Sequence, residues 1–356
     1  MTAPLLQLDG LTVAFRSGSR ALARLRGRPA SSLTAVDAVS LEVERGASLG
    51  IVGESGCGKS TLAKALVGLV PVTSGTITFD GRPLTGRRDR ATQRRVQMVF
   101  QDPSSALNPS RTVGQTLTEL LKVHRMVPAD MIEARARELL ELVELPASLL
   151  NAYPRRLSGG QRQRVGIARA LALNPEVLIA DESVAALDVS VQASVLNLMA
   201  RLRAELGITL LFISHDLAVV RHISERTVVM YLGRIVEDRP TRDIFTDPRH
   251  PYTVALLRAA PRLGTKKDPG SAALPGEPPA FGELPSGCRF HPRCPQVRDI
   301  CRTAGPDLIG PTYSQKAACH FAWTARDPAT YADLSQPVLE IGLQRTDAAT
   351  IEEGPS

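Results

Sequence analysis

Residues 53–60, Gly-Glu-Ser-Gly-Cys-Gly-Lys-Ser, set three glycines, a lysine and a hydroxyl at a spacing suited to binding phosphate. Backbone N–H groups of such a loop wrap phosphate oxygens, and the positive end of the helix that follows favours negative charge. Gly53, Ser55, Gly56, Cys57, Gly58, Lys59, Ser60 and Thr61 are therefore the expected phosphate contacts. Lys59 would reach the outer phosphate oxygens, and the Ser60 hydroxyl would ligate Mg²⁺. The pattern carries this meaning only between a strand and a helix. The apolar run Ser48 to Val52 and the helical run Lys59 to Leu69 supply both.

A second chemical feature is Val177-Leu178-Ile179-Ala180-Asp181-Glu182, an apolar strand that ends in two carboxylates. In a parallel sheet both acids lie at the carboxyl edge, where ligands bind. Asp181 is expected to hold Mg²⁺ through water, and Glu182 to orient or deprotonate the attacking water. The third feature is Leu157-Ser158-Gly159-Gly160-Gln161-Arg162-Gln163-Arg164. A Ser-Gly-Gly at a helix N-terminus presents a hydroxyl and unpaired N–H groups to an anion, a second phosphate-binding surface in the same chain.

Certain elements must hold these groups together. Residues 5–15 and 34–44 alternate apolar and polar side chains and read as half-buried strands. Further strands are expected at 76–80, 96–100, 177–180, 208–213, 226–231 and 234–237, the last two closing the core. Helices are expected at 112–124, 129–145, from the Ser-Gly-Gly segment onward, 190–206 and 216–224. Alternating strands and helices imply a parallel sheet with helices on both faces, interrupted by a helical insert.

At the Leu-Ser-Gly-Gly-Gln segment the chain resembles the ATP-binding cassette family, and the resemblance covers about residues 5–260. Gln101 after a strand matches the Q-loop, Ala186-Leu187-Asp188 the D-loop, and Ile213-Ser214-His215-Asp216 the switch histidine. The resemblance implies an α/β P-loop fold: a RecA-like core with an antiparallel β-subdomain and a helical insert. It implies ATP as ligand, Mg²⁺ held by Ser60, Gln101 and Asp181, and catalysis by Glu182, His215 and Gln101. Two cassettes would pair head to tail. Ser158, Gly159, Gly160, Gln161 and Asp188 would then meet ATP bound by the other subunit, and His215 would contact the γ-phosphate held by Lys59. Phe15 is the candidate for stacking on adenine, a core phenylalanine being the alternative. One departure stands out: Ser183-Val184-Ala185 replaces the family's Pro-Thr-Ser before the D-loop, and hydrolysis is still expected.

The C-terminal third narrows the resemblance. His250-Pro251-Tyr252-Thr253 and the later Leu-Pro-Ser-Gly-Cys-Arg-Phe-His-Pro-Arg-Cys-Pro segment resemble the extension of oligopeptide and dipeptide importer ATPases, and the early Arg-rich insertion with Val96-Gln97-Met98-Val99-Phe100-Gln101-Asp102-Pro103 resembles their F-type subunit more than their D-type. The expected organisation is a nucleotide-binding domain over 1–260 with its helical subdomain about 104–160, an extension over 261–335, and a loosely ordered tail over 336–356. The implied partners are a second cassette ATPase (heterodimer, or homodimer), two membrane permeases and, indirectly, an external binding protein. Cys288, Cys294, Cys301 and Cys319 are spaced more widely than zinc pairs usually are. Four thiolates suit a [4Fe-4S] cluster, which the extension's resemblance also implies, with Zn²⁺ or unmetallated thiols as alternatives.

The chain has 356 residues and a net charge of +7, and no run of 18 apolar residues. A single-chain membrane span is thereby excluded. No secretory signal is evident, so the expected location is the cytoplasmic face of the cell membrane, reached through permeases. Arg16, Arg20, Arg24, Arg26 and Arg28 form a basic insertion, expected as a solvated loop. The basic charge also fits a soluble cassette acting on nucleic acid, but one unpaired cassette argues against it, and no nucleic-acid partner is expected. Import of nickel or another small solute is the remaining alternative to peptide.

Overall fold

The computed structural model describes residues 3–16, 32–86, 88–102, 107–185, 187–260, 276, 279, 284–312 and 314–324. Arg20, Arg24, Arg26 and Arg28 of the basic insertion, Ala186 of the D-loop and the expected 336–356 tail lie outside these residues.

The chain opens with β1 (Leu6–Arg16), β2 (Ser32–Val43) and β3 (Ser48–Val52), then α1 (Lys59–Leu66), β4 (Ser74–Phe79) and the two-residue β5 (Arg82–Pro83). Next come α2 (Arg90–Arg95), β6 (Val96–Val99), α3 (Val113–Val123) and α4 (Ile132–Leu142). The signature helix α5 (Gly159–Leu171) leads to β7 (Val177–Asp181), α6 (Val189–Leu206), β8 (Thr209–Ser214), α7 (Leu217–Ile223), β9 (Arg226–Tyr231) and β10 (Arg234–Pro240). Then follow α8 (Thr241–Thr246), α9 (Pro251–Ala259), α10 (Asp299–Thr303), β11 (Ile309–Thr312) and β12 (Gln315–Ala317).

Two sheets result. One is antiparallel, in the order β2-β1-β4-β5; the other has eight strands in the order β11-β12-β10-β9-β3-β8-β7-β6. Strands β9, β3, β8, β7 and β6 run parallel, so their carboxyl ends share one edge. Side-chain alternation divides the interior. Leu178, Ala180, Leu210 and Phe212 face a core shared with α3 to α6. Leu49, Ile51, Ile179, Leu211 and Ile213 face a second core that also takes Leu62 and Leu66 of α1 and the apolar faces of β1, β2 and β4. Helix α1 thus lies between the sheets, with the glycine loop at its head.

The helical insert forms where the periodicity places it. Thr112 caps α3 by accepting from the Gln115 N–H, while the Gln115 side chain accepts from the Thr112 N–H. Such a reciprocal box satisfies two orphan donors. The expected helix over 129–145 begins instead as a 3-10 turn, Ala129–Met131, and its α-helical part ends at Leu142. Helices α2, α8, α9 and α10 carry no periodic signal long enough to read from sequence.

Strands β9 and β10 do not close the core as expected. Strand β12 pairs antiparallel with β10, placing Glu237 opposite Ala317 and Asp238 opposite Lys316, so the main sheet runs on into the extension. An uncovered β10 would present a row of unpaired N–H and C=O groups, and the extension's hairpin covers them.

Close packing at the centre of the sheet is strict. A Cβ built on Gly50 of β3 would lie 2.2 Å from Val220 Cγ1 and 2.8 Å from Ser224 Oγ, so only glycine lets α7 lie this close. Gly50→Ala is expected to destabilise the fold by about 1–3 kcal/mol, as overpacked cores do. Thermal unfolding of the purified variant against the parent chain measures it.

Candidate active site

The phosphate loop leaves β3 at Val52 and enters α1 at Lys59. Gly58, the N-cap of α1, has φ 110° and no side-chain cap bond, so the first-turn N–H groups are left for a ligand. A side chain at Gly58 would also collide with the Ala35 carbonyl oxygen, 2.2 Å from an added Cβ. The Lys59 ammonium is buried and donates to the carbonyl oxygens of Gly53 at 2.7 Å and Glu54 at 3.0 Å. Cys57 is buried, its thiol pushed up by burial, and its N–H donates to the Glu54 carbonyl at 3.2 Å. That agrees with a small filler rather than a reactive thiol.

Four strand ends bring the remaining groups together. The Ser60 hydroxyl donates to Asp181 Oδ1 at 2.8 Å. Burial raises the Asp181 carboxyl above its usual range; the Ser60 hydrogen bond works against that, and the neighbouring Glu182 charge adds to it. A buried carboxylate under this strain favours a cation beside it. Gln101, just after β6, donates through Nε2 to Glu182 Oε2 at 2.8 Å. His215, just after β8, brings Nδ1 to 3.5 Å from Glu182 Oε1. Glu182 itself sits in the left-handed region at φ 44°, its N–H donating to the Ile213 carbonyl at 2.9 Å. A glutamate there is strained, and such strain concentrates at functional sites. Lys59, Ser60, Asp181, Glu182, Gln101 and His215 thus form one constellation.

Ser60 and Asp181 offer two adjacent oxygen donors, with Gln101 close by. Mg²⁺ usually takes one or two protein oxygens and fills the rest of its shell with phosphate and water, so this set fits it. The ion would neutralise charge on the bridging phosphate oxygens. The protein's own part here is to hold the Glu182 carboxylate between Gln101 and His215, where it could accept a proton from water.

Other expected residues stand apart. Ser158 N-caps α5: its hydroxyl accepts from the Gln161 N–H at 3.2 Å, and the Gln161 side chain accepts from the Ser158 N–H at 2.9 Å. Gly159 faces Leu187, and Gly160 faces Val191 so closely that an added Cβ would lie 2.5 Å from Val191 Cγ1. Among the described residues no hydrogen bond or ion pair joins this segment to residues 53–60. Asp188 is exposed at the head of α6 and makes no side-chain cap bond there. Phe15 is 41% exposed near the end of β1, opposite Leu33, and so is not a core side chain. In the Ser183-Val184-Ala185 turn, Val184 packs into the core and the Ala185 N–H donates to the Glu182 carbonyl at 3.1 Å, so the turn forms without proline.

Cys288, Cys294, Cys301 and Cys319 line one small pocket in the extension, together with Phe290 and Phe321. Burial pushes the Cys288 thiol up and the Cys294 thiol up to about 11. Among the described residues no three His, Cys, Asp or Glu side chains are grouped to hold a metal ion. The expected [4Fe-4S] or Zn²⁺ centre therefore finds no ready ligand set among the described residues.

Glu54, Tyr252 and Arg293 meet at the loop and were not legible as site residues. Glu54 occupies an unspecified position of the loop pattern, and Arg293 lies 239 residues away.

Residues 36–185 match the family described as ABC transporter, and residues 236–301 match the oligopeptide/dipeptide transporter C-terminal region. The chain is 49% identical over 316 residues, 88% of each chain, to a probable peptide ABC transporter ATP-binding protein of Sinorhizobium fredii. It is 44% identical over 301 residues, 82% of this chain and 91% of the other, to the oligopeptide transport ATP-binding protein AppF of Bacillus subtilis. This chain belongs to the ABC transporter family. Among solved structures it is similar to cbiO1 of Clostridium perfringens, part of an ABC transporter complex, with TM-score 0.60 and 28% identity over 69% of this chain and 92% of that one. It is also similar to the ATP-binding cassette MJ0796, solved as a dimer bound to ADP and phosphate, with TM-score 0.58 and 29% identity over 67% and 99%.

The chain is an ABC ATPase, and we propose that the constellation above carries its hydrolysis. Glu182→Gln keeps the shape and removes the proton acceptor. It is expected to lower the hydrolysis rate by about 10²–10⁴, read as phosphate release, while ATP affinity stays within about threefold.

Proposed function

We propose that this ATPase powers the import of oligopeptides or dipeptides through a membrane ABC transporter. The observation that carries the reading is the match of residues 236–301 to the oligopeptide/dipeptide transporter C-terminal region, alongside relatives named for peptide import. The chain works as one of two cassettes. What supports this is that, among the described residues, no hydrogen bond or ion pair joins Ser158, Gly159 or Gly160 to the loop at 53–60, so the two phosphate-binding surfaces do not serve each other within one chain. In a head-to-tail pair, Ser158, Gly159, Gly160, Gln161 and Asp188 meet the ATP that the other subunit's loop holds. The partner is a second cassette ATPase, a homodimer being the alternative, and Phe15 stacks on adenine.

Among the described residues no helix is long and apolar enough to cross a membrane. Two permease subunits hold the pair at the cytoplasmic face of the cell membrane, docking near Gln101 and the helical insert, and an external binding protein delivers the cargo. Affinity isolation of the tagged full chain from gently solubilised membranes tests the reading. Two multi-span permeases and a second cassette are expected, with hydrolysis by the isolated complex rising when peptide-loaded binding protein is added. A homodimer with no membrane partner would overturn it, and stimulation by nickel instead of peptide would reassign the cargo.

We further propose a [4Fe-4S] cluster, with Zn²⁺ as the alternative, at Cys288, Cys294, Cys301 and Cys319. The support is that all four thiols open on a single pocket. Metal binding would have to deprotonate Cys288 and Cys294 against the effect of burial and gather the four sulfurs around one centre. Iron with acid-labile sulfide in anaerobically purified protein is expected; four freely alkylated thiols without metal would refute it.

A further inference from the structure

The extension reaches into the phosphate loop at one residue, Glu54. The Arg293 guanidinium, only 5% exposed as a residue, donates through both terminal nitrogens to the Glu54 carboxylate, at 2.7 and 3.0 Å. The same guanidinium lies 5.9 Å over the Tyr231 ring and 3.4 Å from the Tyr231 hydroxyl. The Glu54 N–H donates to the Tyr252 hydroxyl at 2.8 Å. Tyr252 is fully buried and packs on Tyr231 and Phe290, with ring centroids 4.6 and 5.4 Å away. Both the side chain and the backbone of Glu54 are therefore held from outside the loop.

Inside the loop, the Glu54 carbonyl accepts from Lys59 and from the Cys57 N–H. When Lys59 turns to phosphate oxygens, that carbonyl loses its strongest donor. The Cys57 N–H and the external grip then remain to fix where Glu54 stands, and of these only the grip holds its side chain. Bidentate Arg–carboxylate pairs give geometric specificity as well as energy. A binding loop held in shape before its ligand arrives loses less free energy on binding.

We propose that Arg293 and Tyr252 are positioning residues for ATP: through Glu54 they fix the phosphate loop, so the C-terminal extension is a working part of the nucleotide site. The proposal rests on ATP binding at residues 53–60 and is independent of the cargo. Tyr252 belongs to the His250-Pro251-Tyr252-Thr253 segment, in which the Tyr252 N–H donates to His250 Nδ1 at 3.0 Å and so caps the start of α9.

The test is ATP affinity of the full chain, measured by equilibrium dialysis with Mg²⁺, together with KM and kcat for hydrolysis and the unfolding temperature. Arg293→Ala and Glu54→Gln are each expected to weaken ATP binding by about tenfold, raising KM more than they lower kcat. Arg293→Lys, which keeps the charge but loses the fork, is expected to recover only part of it. The reversed pair, Glu54→Arg with Arg293→Glu, is expected to bind ATP better than either single reversal. If Arg293→Ala fails to fold, Glu54→Gln decides, because Glu54 is partly exposed and the substitution is isosteric. A lowered unfolding temperature with unchanged ATP affinity in both variants would make Arg293 an anchor of the extension only, and would overturn the proposal. An unaltered chain that binds no ATP would remove the phosphate-site reading as well.

Discussion

The site depends on how tightly the phosphate loop is wedged between strands. Carbonyl oxygens of Ala35 on β2 and Met230 on β9 would each lie 2.2 Å from a Cβ at Gly58 and Gly53. Neither position can carry a side chain, so the loop's path is dictated by backbone on two sides and not by the ligand. The Gly233 N–H donates to the Cys57 carbonyl at 2.8 Å and fixes a third point. Because β3 runs parallel between β8 and β9, the same packing sets the level at which the other strands end. Asp181, Glu182, Gln101 and His215 arrive at the loop because their strands stop at that edge.

Energy is conceded at this edge and recovered elsewhere. Lys59 is a buried cation whose partners are carbonyl dipoles rather than a carboxylate, an arrangement less favourable than solvation by water. Glu182 holds a left-handed backbone, and the buried Ser183 hydroxyl beside it has no hydrogen-bond partner among the described residues. Each is a cost of order 1–3 kcal/mol in an ordinary fold. The surrounding apolar strands, buried on both faces, supply enough stabilisation to hold such groups in place.

Much of this was legible in sequence, for a physical reason. Phosphate binding and parallel strands impose local rules: glycines where backbone must approach, an apolar strand before, a helix after. Residues 53–60, 157–164 and 177–182 obey those rules within a few residues of chain, and the elements around them follow the same periodicities. The extension obeys none of them. Helix α10 has five residues and β12 three; β12 forms on the edge that β10 offers, and Phe290 of the extension packs edge-on against Tyr231. Arg293 finds Glu54 only after the chain has folded back. The left-handed Glu182 was also invisible, since its conformation is imposed by Ile213 across the sheet and not by its neighbours in sequence.

The signature segment raises one apparent conflict, which hydrogen-bond capacity resolves. Ser158 is expected to meet a phosphate, yet its hydroxyl already caps α5. A serine hydroxyl has two acceptor positions and one donor. The cap uses one acceptor position, by taking the Gln161 N–H, and leaves the hydroxyl proton to give to an anionic oxygen. Residues 159 and 160 lie in the first turn of α5, where N–H groups have no acceptor within the helix. The segment is thus complete as a helix start and incomplete as a donor set. The loop at 53–60, by contrast, has its lysine occupied by its own carbonyls. On the proposed pairing of two cassettes, ATP satisfies one subunit's idle donors while drawing the other's lysine off its carbonyls, so closure is tied to the presence of the γ-phosphate. On the same proposal, hydrolysis would remove that shared acceptor and let each chain return to the self-satisfied arrangement described above.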